Sequence, residues 1–310
     1  MLRRRLPSPT AVADLVTGRL TDSAYAAGWA VVRALPEPAA RRLFAAGADL
    51  AVQRGGPPVD RLRANLVRVA PTADQDVLVR DGMRSYARYW CEVFRLPVMS
   101  QERIQSGMHL DDPGGLLHEA TASDRGLVLA LPHSGNWDHA GAWLVGQGVR
   151  FTTVAERLRP EQLYDRFVAF RQGLGMEVLP LTGRQPPFEV LAERLRAGGT
   201  LCLLADRDLS SRGVGVDFFG ARTRMPAGPA ALALRTGAVL LPVTLSFRPD
   251  GWATVIHPPV EPTDVAAMIQ SMADAFARGI AEHPADWHML QRLWLDDLDV
   301  DDPRRREVGA

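Results

Sequence analysis

The chain has 310 residues, 46% hydrophobic and 23% charged, with 36 basic and 36 acidic side chains. That length and apolar content can fill a sizeable core, and a net charge of zero excludes the basic field expected of a nucleic-acid-binding protein. Every basic residue is an arginine, which excludes a catalytic lysine, and two cysteines, Cys91 and Cys202, are too few for a disulfide framework or a thiolate metal cage.

Arg3, Arg4 and Arg5 are followed by Pro7, Pro9, Asp14 and Arg19, so no signal-peptide apolar core follows the charges. No stretch approaches the ~20 apolar residues of a spanning helix, so contact with a membrane would be peripheral, on its surface. Residues 10 to about 125 show helical spacing interrupted by turn signals at Leu35–Pro38, Gly55–Pro58 and Asp111–Gly115. Tyr25, Trp29, Val32, Leu43, Phe44 and Leu50 fall on helical faces flanked by Arg33, Arg41 and Arg42. Such faces either pack into a core or meet anionic headgroups at a lipid surface. Residues 1–125 are therefore expected to form a helical, membrane-associating part.

From Gly126 the pattern changes to short apolar runs alternating with amphipathic stretches. Strands are predicted over Gly126–Leu131, Arg150–Val154, Glu177–Leu181, Thr200–Ala205, Val239–Leu245 and Ala253–Ile256. Helices are predicted over Trp137–Gly146, Pro160–Leu174, Phe188–Ala197, Gly228–Thr236 and Thr263–Glu282. The expected fold is α/β, with a central, mostly parallel or mixed sheet flanked by helices over residues 126–296. An N-terminal helical layer completes one compact domain, and residues 297–310 form a frayed polar tail.

The run Leu131-Pro132-His133-Ser134-Gly135-Asn136-Trp137-Asp138 falls where a strand gives way to a helix. In open α/β sheets sites gather at the carboxyl ends of strands, and His133 sits at such an end. Gly135 permits a tight turn and Asn136 suits a helix N-cap. A histidine there can act as general base, and a carboxylate usually orients its ring. Asp138 is near in sequence, but on a regular helix a five-residue offset faces elsewhere, so the two meet only if His133 is still in the loop. Asp206 ends another apolar strand and would share a rim with His133 if the two strands were neighbours. Ser134, Cys91 and Cys202 are weaker nucleophile candidates. His109, His118, His139, His257, His283 and His288 lack comparable surroundings.

Four blocks carry a family resemblance. His133 followed after four residues by Asp138 matches the His-x4-Asp motif of glycerolipid acyltransferases. Glu156-Arg157-Leu158-Arg159-Pro160 with Phe170-Arg171-Gln172-Gly173-Leu174-Gly175 forms a second block. Asp206-Arg207-Asp208 with Gly213-Val214-Gly215-Val216-Asp217-Phe218-Phe219-Gly220 forms a third, followed by Arg222-Thr223-Arg224-Met225-Pro226. Pro284-Ala285-Asp286-Trp287-His288-Met289-Leu290-Gln291-Arg292 closes the series. In this order they resemble the bacterial lipid A and phosphatidylinositol mannoside acyltransferase family, most nearly its actinobacterial mannoside branch, over most of residues 20–295.

That resemblance implies a glycerolipid-acyltransferase-like fold and transfer of a palmitoyl group from acyl-CoA to a mannose hydroxyl of a phosphatidylinositol mannoside. It implies no cofactor beyond acyl-CoA as co-substrate, no metal, and a peripheral place on the cytoplasmic face of an anionic membrane. His133 is the expected base, paired with Asp206 or Asp138, with no acyl-enzyme. Arg171, Asp208, Arg157, Arg159, Arg222 and Arg224 are expected at substrate, the last two near a helix N-terminus suited to phosphate. Backbone amides of residues 134–136 and the Arg171 side chain are the expected oxyanion donors. The alternatives are a lipid A-type secondary acyltransferase and a metal-dependent glycosyltransferase using Asp206-Arg207-Asp208 as its acidic motif.

Overall fold

A computed structural model describes residues 28–156, 161–181, 187–208, 213–302 and 305. The N-terminal layer comprises α1 (28–34), α2 (Glu37–Arg54), α3 (Pro57–Val69), α4 (Gln75–Arg95) and the short α5 (Gln101–Ser106). Helix α4 is capped by Asp74, whose side chain accepts the amides of Asp76 and Val77. Its buried residues include Val79, Met83, Tyr89 and Val93, which fall along one helical face. Trp29 and Val32 are buried, and the Trp29 indole donates to Phe94 O at 2.8 Å. Val31, Leu43 and Leu50 remain exposed. Tyr25 lies outside the described residues.

Strands and helices then alternate as β1 (Met108–Asp111), α6 (Leu116–Ala122), β2 (Leu127–Leu131), α7 (Trp137–Gly146), β3 (Phe151–Ala155), α8 (Glu161–Gly173), β4 (Glu177–Pro180), α9 (Phe188–Arg196) and β5 (Thr200–Leu204). They continue as β6 (Val214–Phe218), β7 (Ala221–Met225), α10 (Gly228–Thr236), β8 (Val239–Phe247), β9 (Trp252–Ile256) and α11 (Val265–Glu282). Seven strands form one sheet in the order β1-β9-β8-β2-β5-β3-β4. All neighbours are parallel except β8 and β9. Each predicted strand and helix is present, and the sheet is mixed as expected.

Alternate residues of the central strands feed two cores. Val128, Ala130, Leu201, Leu203 and Leu240 pack with α9, α10 and α11, while Leu129, Leu131, Leu241 and Val243 pack with α4, α7 and α8.

Three details depart from the sequence reading. Within the part expected to be all helical, β1 joins the sheet beside β9. The block 214–225, read only as a motif, is the hairpin β6–β7, turning through Phe219 and Gly220 at φ 49° and 73°. The start of the expected frayed tail is docked: Asp297 takes both Arg68 amino groups at 2.7 and 2.8 Å, and Leu298 is buried.

Two buried histidines make stability depend on pH. Desolvation pushes His139 and His288 down to about 3, helped by Arg103 and Arg88 at His139 and by His133 at His288. With folded pKa values below the unfolded 6.5, their contribution is complete above pH 6.5 and is lost as pH falls toward 3. At pH 5 each should have lost about 2 kcal/mol relative to pH 7. Urea unfolding at the two pH values measures the difference, and His139→Phe should reduce it by about 2 kcal/mol. Equal stability at both would refute it.

Candidate active site

The ladder between β2 and β5 pairs Leu131 with Leu204, and the Ala205 amide donates to Leu131 O at 2.8 Å. Two residues beyond that register His133 faces Asp206. His133 Nδ1 lies 2.5 Å from Asp206 Oδ1, while Asp206 Oδ2 accepts the His133 amide at 2.9 Å and the Trp287 indole N–H at 3.0 Å. Asp206 is fully buried, whereas the His133 side chain keeps 18% exposure and can be reached from outside. Burial alone would raise the Asp206 carboxyl. The facing imidazole and these hydrogen bonds outweigh it and hold the group below its ordinary value. With Asp206 ionised, Nδ1 carries the ring proton and the Nε2 lone pair is available as a base.

The loop carrying His133 is held from several sides. Gly135 has φ 55°, and a Cβ there would lie 2.9 Å from the Leu245 carbonyl carbon, so the turn requires glycine. The Asn136 side chain caps α7 by accepting the His139 amide at 2.9 Å and donates to Glu92 at 2.8 Å. Residues of the closing block run alongside: Gly135 N donates to Asp286 O, and His288 N donates to His133 O. The Ser134 amide is spent on Pro132 O and that of Gly135 on Asp286 O, so these two expected oxyanion donors are already committed within the protein.

Asp138 does not meet His133. From the first turn of α7 it accepts Arg171 Nε at 2.6 Å and Nη2 at 3.1 Å, and Tyr89 Oη at 2.9 Å. Once α7 begins, its phase turns Asp138 toward α4 and α8, which corrects the reading of Asp138 as a partner of the imidazole. Burial disfavours charge on Arg171, but the buried Asp138 carboxylate overrides this and raises its pKa. Arg171→Met would leave that carboxylate without its cation, and a loss of about 3–5 kcal/mol of stability is expected in urea unfolding. Asp138→Leu combined with Arg171→Met should recover most of it.

Beside these pairs lies an apolar cavity of about 90 Å³ between the sheet and α7. Leu131, Cys202, Leu204 and Leu245 contribute from the sheet, Trp137, Gly141 and Leu144 from α7, and Asp138 with Arg171 forms its polar edge. His133 is not part of the lining. Trp137 is, and its ring meets the imidazole edge to face at 5.5 Å. Burial pushes the Cys202 thiol well above its ordinary value, which makes it a poor nucleophile.

The other expected site residues fall elsewhere. Arg222 is exposed and pairs with Asp217 at 3.3 Å across the hairpin. Buried Arg224 donates to Gly213 O, and Asp208 accepts the Gly213 amide at 2.7 Å, so both brace β6–β7 against the chain after β5. None of the three lines the cavity. Arg157 and Arg159 lie outside the described residues. The carboxylates read as an acidic metal motif are thus engaged separately, Asp206 with His133 and Trp287, Asp208 with a loop amide.

Sequence reasoning missed Trp287, Tyr89 and His288. Trp287 was visible only as part of a closing aromatic block, and nothing local marks Tyr89, a residue of a helical face. His288, read as bland, is buried among Tyr86, Tyr89 and Trp137 with its amide on the His133 carbonyl.

The family model described as bacterial lipid A biosynthesis acyltransferase matches residues 11–296. The chain is 54% identical to the phosphatidylinositol mannoside acyltransferase of Mycolicibacterium smegmatis over 299 residues, 94% of this chain and 97% of that protein. It is 55% identical to the protein of the same name from Mycobacterium tuberculosis H37Rv over 292 residues, 91% of each. The crystal structure of the 1-acyl-sn-glycerophosphate acyltransferase PlsC from Thermotoga maritima aligns with 73% of this chain and 96% of its own, at 15% identity and a TM-score of 0.35.

Proposed function

This chain belongs to the bacterial lipid A biosynthesis acyltransferase family and is an acyltransferase; from that premise we propose that it moves a palmitoyl group from acyl-CoA to a mannose hydroxyl of a phosphatidylinositol mannoside. The observation that carries the chemistry is the contact between His133 Nδ1 and buried Asp206, at the ends of adjacent strands and one side chain away from an apolar cavity. The choice of acceptor rests on the two relatives, which share more than half of their residues with this chain.

In this reading part of the acyl chain enters the cavity, with its thioester toward His133. The acceptor hydroxyl gives its proton to Nε2 as its oxygen attacks the carbonyl carbon. Asp206 holds the imidazolium that forms, and the departing thiolate takes the proton back. No acyl-enzyme intervenes, in keeping with the raised Cys202 thiol.

The N-terminal layer would lie on the cytoplasmic face of an anionic membrane. Leu43 and Leu50 are exposed one heptad apart on α2, with Arg42 exposed beside them and Arg54 exposed at its end. No helix among the described residues is long and apolar enough to cross a membrane. Residues 1–125 would serve that contact, and 126–296 the chemistry.

The test is incubation of the purified protein with radiolabelled palmitoyl-CoA and a panel of phosphatidylinositol mannosides and lipid A precursors. Label is expected in the mannosides. Label confined to lipid A precursors would overturn the acceptor, and label in neither would overturn the donor–acceptor pair.

A further inference from the structure

Within the acyl-transfer reading, the charge that develops on the thioester carbonyl oxygen needs a donor. The amides of Ser134 and Gly135 are already bonded inside the loop, and two Arg171 N–H groups are bound to Asp138. A different donor touches both the imidazole and the cavity. Trp137 Nε1 is buried and has no hydrogen-bond partner. Among the described side chains with an unpartnered buried nitrogen, Trp137 alone both lines the cavity and makes a ring contact with His133.

We propose that the Trp137 indole N–H is the hydrogen-bond donor that receives the thioester carbonyl oxygen as the acceptor hydroxyl attacks. The inference rests on the acyl-transfer reading above and extends it to a catalytic residue.

The ring is held before substrate arrives. It stacks on Tyr89 at 4.0 Å, meets His133 edge to face at 5.5 Å and lies 6.2 Å from His288. Tyr89 is itself fixed by its bond to Asp138. A neutral donor locked in this way needs no reorganisation during reaction, and a buried N–H without an acceptor gains one only when substrate supplies it. An acyl chain entering the cavity with its carbonyl directed to His133 brings that oxygen past Trp137. As the acceptor oxygen bonds to the carbonyl carbon, its proton passes to His133 Nε2 and the C=O π pair moves onto oxygen, facing the indole N–H. When that pair returns, the C–S bond breaks and the thiolate takes the proton from the imidazolium.

The experiment compares the parent chain with Trp137→Phe, which keeps an aromatic ring and loses the N–H. Steady-state kinetics with palmitoyl-CoA are measured beside the affinity of an S-alkyl-CoA thioether, which has the chain but no carbonyl oxygen. A fall in kcat of about 100-fold is expected, with thioether affinity within about twofold of the parent. A kcat within about threefold of the parent would overturn the proposal. So would kcat and thioether affinity falling together, the result expected of an indole that is only a wall. Should Trp137→Phe fold poorly by thermal melting, the same measurements on a chain carrying benzothienylalanine at position 137, where sulfur replaces the N–H in a ring of the same shape, decide the matter by the same criteria. Absence of transfer by the parent itself would instead overturn the acyl-transfer reading and this inference with it.

Discussion

His133→Ala is expected to lower kcat about 10³- to 10⁴-fold with little change in the KM for acyl-CoA. The loop should survive the change. His133 contributes its amide to Asp206 and its carbonyl to the His288 amide, and both bonds are made by backbone that alanine retains. What disappears is the ring nitrogen that, in the proposed mechanism, takes the proton from the acceptor hydroxyl. His133→Gln separates this from simple hydrogen bonding, since a carboxamide can touch the hydroxyl but cannot remove its proton. A glutamine variant with more than about a tenth of the parent kcat would mean that the imidazole positions rather than deprotonates, and the general-base reading would fall.

Asp206→Asn is the second large effect, with an expected loss of about 10²- to 10⁴-fold in kcat. Three N–H groups converge on this buried carboxylate: the His133 amide, the His133 ring and the Trp287 indole. A carboxamide has a single acceptor oxygen. If that oxygen serves the amide and the indole, its NH₂ group faces the imidazole. The ring must then accept at Nδ1 and carry its proton on Nε2, the tautomer that cannot act as a base. The tautomer predicts more than an activity loss, because ring ¹⁵N chemical shifts of His133 should show the proton moving from Nδ1 to Nε2. Full activity in Asp206→Asn, or an unchanged tautomer, would remove Asp206 from the mechanism.

The sequence was most legible where burial is two-sided. Strands β2, β5 and β8 lie inside the sheet, and their near-continuous apolar runs stand out against amphipathic neighbours. Strand β1 is four residues long with alternating burial at the sheet edge, too weak a pattern to separate from the preceding helices. The hairpin β6–β7 escaped notice because its turn is Phe219-Gly220 rather than the usual Asn-Gly or Asp-Gly.

For the site, local chemistry marked His133, Gly135 and Asn136, because a turn and a helix cap are decisions taken within a few residues. The carboxylate partner was not such a decision. Asp138 and Asp206 were both acceptable until the parallel register of β2 with β5 brought Asp206 to the ring and the phase of α7 gave Asp138 to Arg171.

By itself, then, the order of residues determined the α/β alternation, the strand-end position of the histidine and the family likeness, since each depends on contacts or periodicities short along the chain. Only the folded chain decided which acid holds the imidazole, that Trp287 joins it from 81 residues beyond Asp206, and that Trp137 both meets the ring and lines the cavity. Those outcomes depend on which strands are neighbours and on how helices are rotated against the sheet. They are settled by packing over the whole domain, and no local stretch of sequence carries them.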